Sequence, residues 1–235
     1  FKDGEVVDLF GDIDVDGTPY RLIDTAGIRN KRAEHEVVDK FAAIRTEEAI
    51  ERADVCLLII DALEGLTSQE RRIAAHITDH GKACLLIINK WDAIHGYRTE
   101  HCLKQIHEEA PFLAAVPTLF ISAKTGKHVE RLFPAIEELY GAYTRRVTTG
   151  RLNAFIEKAL QKLPPPMVQG KRLRIYYMTQ KGEAPPRFFL FINHKDRITA
   201  AYEKYLINAF REAFGFAGVP FRFIYREKEK RSRSM

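Results

Sequence analysis

Asn89-Lys90-Trp91-Asp92 directly follows the apolar run Ala83-Cys84-Leu85-Leu86-Ile87-Ile88, and its residue types suit the recognition of one nucleobase. A carboxylate only accepts hydrogen bonds. Guanine offers two adjacent donors, its ring N1–H and its exocyclic amine, and Asp92 can take both. Adenine presents an acceptor at the matching ring position and would leave the carboxylate unpaired, which in a desolvated site is a strong ground for rejection. Lys90 can lay its aliphatic stem along the base plane, and Asn89 can tie the loop to its neighbours.

Two further segments flank this one in sequence. Upstream, Tyr20-Arg21-Leu22-Ile23 leads into Asp24-Thr25-Ala26-Gly27. Asp-X-X-Gly at a strand end places Asp24 where it can hold a magnesium-bound water. Gly27 lets the backbone approach a terminal phosphate with no side chain in the way. Asp24 and Gly27 are therefore the catalytic candidates, with Thr25 and Ala26 beside the nucleotide. Downstream, Pro117-Thr118-Leu119-Phe120-Ile121 runs into Ser122-Ala123-Lys124. In GTPases that tripeptide turns backbone amides toward the guanine carbonyl oxygen. Three motifs in this order, each at the carboxyl end of a strand, point to a guanine-nucleotide fold.

No Gly-x-x-x-x-Gly-Lys-Ser/Thr occurs in the sequence, so the loop that cradles the α- and β-phosphates is not within it. The 23 residues before Asp24 are too few for a strand, that loop, its helix and a switch segment. The expectation is either a longer protein that supplies the loop or a degenerate relative that lacks it.

Strands near residues 12–15, 20–23, 55–60, 83–88 and 118–121 alternate with helical patterns near 37–52, 68–80, 99–109 and 129–143. The fold class this predicts is α/β, a P-loop GTPase-type, mostly parallel sheet with helices on both faces. Asp14-Val15-Asp16-Gly17 marks a hairpin between the first two strands, an antiparallel edge. The polar stretch 29–36 reads either as a nucleotide-sensitive switch or as a plain solvated connection. Beyond Thr148-Thr149-Gly150 the order changes to a helix near 152–163, strands near 173–179 and 188–193, a helix near 198–214 and a strand near 221–225. That predicts a small α+β domain. The expected boundaries are a G domain over 1–147, the α+β domain over 148–226 and a basic tail over 227–235.

The chain is long enough, at 235 residues and 46% hydrophobic, for two modest cores. No apolar run reaches the length of a membrane span, the N-terminal residues lack signal-peptide character, and three scattered cysteines make neither a disulfide framework nor a zinc site. A cytoplasmic protein is expected. Charge is unevenly spread: from residue 141 onward 20 Lys and Arg face 7 Asp and Glu, net +13, whereas the first 140 residues carry 17 against 25, net −8. The basic third suggests a polyanion such as nucleic acid; the alternative is docking onto an acidic domain of the same protein. His76 and His80 stand at i, i+4 spacing with no third metal ligand, and Asp61 reads as a loop cap.

The chain resembles the Der (EngA) family of bacterial GTPases, in its second G domain and C-terminal KH-like domain. The resemblance rests on Asp24-Thr25-Ala26-Gly27-Ile28-Arg29, Glu51-Arg52-Ala53-Asp54-Val55, Thr67-Ser68-Gln69-Glu70, Asn89-Lys90-Trp91-Asp92, Ser122-Ala123-Lys124 and Pro186-Arg187-Phe188-Phe189-Leu190-Phe191-Ile192-Asn193. It implies GTP/GDP and magnesium as ligands, action on the large ribosomal subunit or its precursor, and contact with a first G domain of the same protein. Ile28 stands where many GTPases carry a water-orienting glutamine, and the resemblance implies a potassium ion near the phosphates instead. RNA or partner contact is expected from Lys171, Arg172, Arg174, Arg187 and Arg211. A Gly-X-X-Gly clamp is the usual KH signature, but Gly215-Phe216-Ala217-Gly218 reads better as a helix C-cap and turn. The rival readings are a nucleotide-independent RNA- or ribosome-binding scaffold and an Era-type GTPase; the misplaced Gly-X-X-Gly and Trp91 argue against the latter.

Overall fold

Asp16 and Gly17 both adopt positive φ, 52° and 82°, the backbone that a two-residue hairpin turn needs to match the twist of its strands. Asp14 stabilises that turn by accepting the Gly17 N–H at 2.9 Å. The turn joins β1 (Leu9–Val15) to β2 (Thr18–Asp24) as an antiparallel pair, with Asp24 opposite Leu9. This is the hairpin the sequence predicts. The structure, a computed structural model, describes residues 9–24, 46–96 and 98–228. Residues 25–45, with the stretch 29–36 and most of the predicted helix 37–52, lie outside the described residues, as does the tail beyond 228.

A second sheet of the first unit holds β3 (Val55–Asp61), β4 (Ala83–Asn89) and β5 (Thr118–Phe120), all parallel, in the order β3-β4-β5. The central strand β4 is apolar from Ala83 to Ile88 without alternation, and every one of those residues is buried, as a parallel strand covered on both faces requires. Residues 46–52 are helical, and the crossovers are α1 (Ser68–Asp79) and α2 (Thr99–Glu109). Thr67 and Glu70 form a capping box at the start of α1, Thr67 accepting the Gln69 N–H and Glu70 accepting the Thr67 N–H, so two otherwise unpartnered amides of the first turn are satisfied. His76 and His80 lie on and just beyond this helix with stacked rings, and His80 Nε2 approaches Glu47 and Glu51 at 3.8 Å.

The chain divides into two compact units inside α3 (Leu132–Tyr143), Glu138 opening the second, to which Ala115–Pro117 also belongs. The second unit continues with α4 (Thr149–Lys162), a ribbon of β6 (Met167–Val168) and β7 (Lys171–Arg172), β8 (Ile175–Gln180), β9 (Arg187–Ile192), α5 (Ala200–Phe214) and β10 (Arg222–Glu227). Its sheet runs β10-β9-β8, with β8 antiparallel and β10 parallel to β9. Strand β9 alternates: Phe188, Leu190 and Ile192 are fully buried, while the residues between them are not. Phe188 meets Phe210 of α5 at 4.6 Å between ring centroids, and Phe210 meets Phe155 of α4 at 5.2 Å. These ring contacts place both helices on one face of the sheet.

The ribbon β6–β7 is absent from the sequence reading. Its turn, Gln169 and Gly170, takes φ of 50° and 70°, a hairpin geometry that Asn-Gly signals strongly and Gln-Gly does not. Gly215 ends α5 in the left-handed region at φ 67°, its N–H donating to Arg211 O at 2.9 Å, and Phe216 is fully buried behind it. The Gly-X-X-Gly segment is therefore a helix stop with an inward anchor, the economical reading made from sequence.

Candidate functional site: two loops at the carboxyl ends of parallel strands

Strands β4 and β5 lie side by side with Ile88 opposite Phe120, so the loops that follow them leave the sheet at one edge. Asn89 joins these loops. Its Oδ1 accepts the Lys90 N–H at 2.8 Å and the Ala123 N–H at 3.0 Å, while its backbone carbonyl accepts the Ala62 N–H at 2.9 Å from the loop after β3. Trp91 adds a second tie, its N–H donating to Ile121 O at 3.1 Å and its ring meeting Phe120 edge-on at 4.6 Å. The chain can make this sharp exit because Lys90 adopts φ 63°.

Lys90 Nζ donates to Asp61 Oδ2 at 2.5 Å. Asp61 ends β3 directly opposite Asn89, and its other carboxylate oxygen accepts the Leu63 N–H at 3.0 Å. It therefore caps its loop, as the sequence suggests, and also orients the lysine, which local sequence does not reveal. The only signal was that Asp61 and Asn89 end neighbouring strands.

Asp92 projects from the first loop into solvent. The Ser122 hydroxyl donates to its carboxylate and holds its pKa below the usual carboxylate value; burial opposes this, while the Asp92 amide and the Lys124 charge assist. Ser122 is the one buried polar side chain among the described residues. Its backbone carbonyl accepts the Gly126 N–H at 2.9 Å and its Oγ accepts the Thr125 N–H at 3.2 Å. Ala123 and Lys124 are exposed on the same turn. The arrangement offers an ionised, acceptor-only carboxylate beside exposed backbone, which suits a base edge with two donors. The Ala123 amide is taken by Asn89, so a guanine carbonyl oxygen would have to share that donor.

Asp24 ends β2, its side chain and Thr25, Ala26, Gly27 and Ile28 lying outside the described residues. Lys171, Arg172, Arg174 and Arg187 are exposed in the second unit. Arg211 is turned inward instead. Its Nη1 donates to Phe216 O at 2.6 Å and Val219 O at 3.2 Å, its guanidinium sits 4.9 Å from the Phe221 ring centre, and burial lowers its pKa. Backbone carbonyls beyond the α5 C-terminus claim this side chain, a demand invisible in a count of basic residues. His194, Asp196 and Glu227 lie within 4.8 Å of one another among the described residues, but all are exposed and Glu227 accepts the Lys195 N–H at 2.7 Å. No described helix is long and apolar enough to cross a membrane.

Residues 15–142 match the Elongation factor Tu GTP binding domain, and residues 146–226 match the KH-domain-like C-terminal segment of EngA bacterial GTPase enzymes. GTPase Der of Protochlamydia amoebophila (strain UWE25) is 56% identical over 214 residues, covering 91% of this chain and 44% of that protein. GTPase Der of Caldicellulosiruptor saccharolyticus is 42% identical over 218 residues, covering 92% of this chain and 50% of the relative. The chain thus spans about half the length of the curated relatives it matches. Among solved structures, Era in complex with MgGDPNP and nucleotides 1506-1542 of 16S ribosomal RNA is similar at a TM-score of 0.48 and 20% identity, over 93% of this chain and 79% of that one. A GTP-binding segment filling more than half of the sequence, followed by an EngA-type KH-like segment, makes this chain a member of the elongation factor Tu-type GTP binding domain family, in its Der (EngA) group.

Proposed function

We propose that the chain binds GTP and GDP through the loops after β4 and β5. In this reading Asp92 takes the two guanine donors, Lys90 lies along the base, and Asn89, Ser122, Ala123 and Lys124 build the pocket. The observation that carries it is the Asn89 side chain bridging Lys90 and Ala123, which ties the loop bearing the exposed Asp92 to the turn bearing Lys124. Asp24, at the end of β2, would hold magnesium through a water, and Gly27 would approach the terminal phosphate. The intact protein would then hydrolyse GTP, with potassium rather than a glutamine assisting because Ile28 has no hydrogen-bonding side chain.

In the same proposal residues 1–147 form the second G domain, 148–226 the KH-like domain and 227–235 a basic tail. The protein acts in the cytoplasm as an assembly factor for the large ribosomal subunit, its KH-like domain touching ribosomal RNA or a first G domain. The exposed Lys171, Arg172, Arg174 and Arg187 support the RNA contact. Arg211 leaves that set because its Nη1 is bonded to carbonyls of its own unit and its guanidinium lies against Phe221.

Competition of GDP and ADP for a fluorescent guanine nucleotide tests the central claim. GDP should displace the probe and ADP should not, and Asp92→Asn should erase the difference. Equal displacement by ADP, or RNA binding with no nucleotide affinity, would overturn the reading in favour of a nucleotide-blind scaffold. For the intact protein, equal hydrolysis in sodium and potassium buffers would remove potassium from it.

A further inference from the structure

Helices α4 and α5 take one face of the β8–β9–β10 sheet, and strand alternation gives the other face a different chemistry. Phe189 and Phe191 alternate with the buried Phe188 and Leu190 and stay partly exposed, as does Ile224, the register partner of Phe189. Tyr177 opposes Phe191 across the ladder, their rings stacked at 4.2 Å and 13°, with Tyr177 38% exposed. The same alternation brings Arg187, Arg222 and Arg226 to this face and, among the described strand residues, no Asp or Glu.

The rings here are covered by cations on flexible stems. Arg226 lies 5.6 Å and Lys181 5.5 Å from the centre of the Phe189 ring, and Lys228 lies 5.3 Å from that of Tyr176. Such contacts at an exposed surface are weak and displaceable. A ligand gains on both counts if it offers a flat π surface to each ring and a negative charge to each cation. A single nucleic-acid strand carries one base and one phosphate in every unit. A duplex hides its bases, and an acidic protein face brings carboxylates but no partner for the rings.

We propose that the open face of this sheet binds single-stranded RNA, bases stacking on Tyr177, Phe189 and Phe191 and phosphates meeting Lys181, Arg222 and Arg226. The proposal rests on the RNA-contact reading of the second unit and gives that contact a surface. The site is the sheet itself rather than the turn after α5, where Phe216 is buried.

A fluorescein-labelled uridine strand of about 12 nucleotides, titrated into the full chain and followed by anisotropy, tests it. Tyr177→Leu and Phe191→Leu keep the face apolar and should each weaken binding about 5- to 160-fold, the range for losing one base–aromatic stack. Binding of a labelled RNA duplex should not change. Arg222→Gln with Arg226→Gln should reduce the slope of log affinity against log salt by about 0.7 per cation removed; both residues are exposed, so this variant decides the matter even if a leucine variant unfolds. Parental affinity in the leucine variants, or a parental salt slope in the glutamine pair, overturns the proposal. Loss of binding confined to Lys171→Ala with Arg172→Ala would also reject this face while leaving RNA contact intact. Absence of any RNA affinity would remove the RNA reading itself.

Discussion

Asn89 Oδ1 stands 3.0 Å from the Ala123 amide, 34 residues further along the chain. One side-chain oxygen thus sets the spacing between the loop carrying Asp92 and the turn carrying Lys124, since it also accepts the Lys90 N–H. Asn89→Ala would orphan both amides. Each lost bond should cost about 0.5–1.5 kcal/mol, and the loss of registry should lower guanine-nucleotide affinity by roughly tenfold or more. Calorimetric titration with GDP alongside thermal melting checks both effects.

The Asp92 pKa is lowered by hydrogen bonding to the Ser122 side chain first, with its own amide and Lys124 assisting. A carboxylate whose pKa is lowered on folding contributes above its ordinary value, near 3.8, and loses that contribution as pH falls through the lowered one. Guanine affinity should therefore be insensitive to this group at neutral pH and fade only in acid. Ser122→Ala should move the Asp92 titration upward, toward the ordinary carboxylate value. Carbon-detected NMR of the Asp92 carboxyl reads the shift directly, and an unmoved titration would remove Ser122 as its cause.

Arg211 ties α5 to the turn beyond it, through Phe216 O and Val219 O. Arg211→Met keeps much of the stem and loses both bonds, so chemical denaturation should show a loss of roughly 1.5–3 kcal/mol. RNA affinity, measured on the folded variant, should stay at the parental level, because the guanidinium faces the Phe221 ring and not an exposed basic patch.

Cys56 and Cys84 are buried in β3 and β4, where burial pushes their thiols up to about 11 and about 12. Thiolate is the reactive form, so neither should alkylate in the native chain at pH 8. Cys102 on α2 is half-buried, and its pKa is raised less steeply by the same cause. Iodoacetamide with mass spectrometry should find modification at Cys102 first and at the strand cysteines only after unfolding.

The loops after β4 and β5 were legible in sequence because their chemistry is local. An apolar strand, a turn and a carboxylate occupy consecutive residues, and parallel strands deliver such turns to one edge of a sheet. The strands of the two larger sheets and the hairpin at Asp16-Gly17 were legible for the same reason, each resting on patterns within a few residues, whereas the capping box at Thr67 and the β6–β7 ribbon were not read. What tertiary structure alone decided are pairings between distant residues: Asn89 with Ala123, Asp61 with Lys90, and Arg211 with the carbonyls beyond its helix. Sequence distinguishes a basic residue from an acidic one, but not a guanidinium that faces water from one that binds carbonyls beyond its own helix. Among the aromatic residues of β8 and β9, Phe188 lies in the core. Alternation across a sheet with helices on only one side left Tyr177, Phe189 and Phe191 on the other, and which side the helices took is settled only when Phe155 and Phe210 meet beneath Phe188.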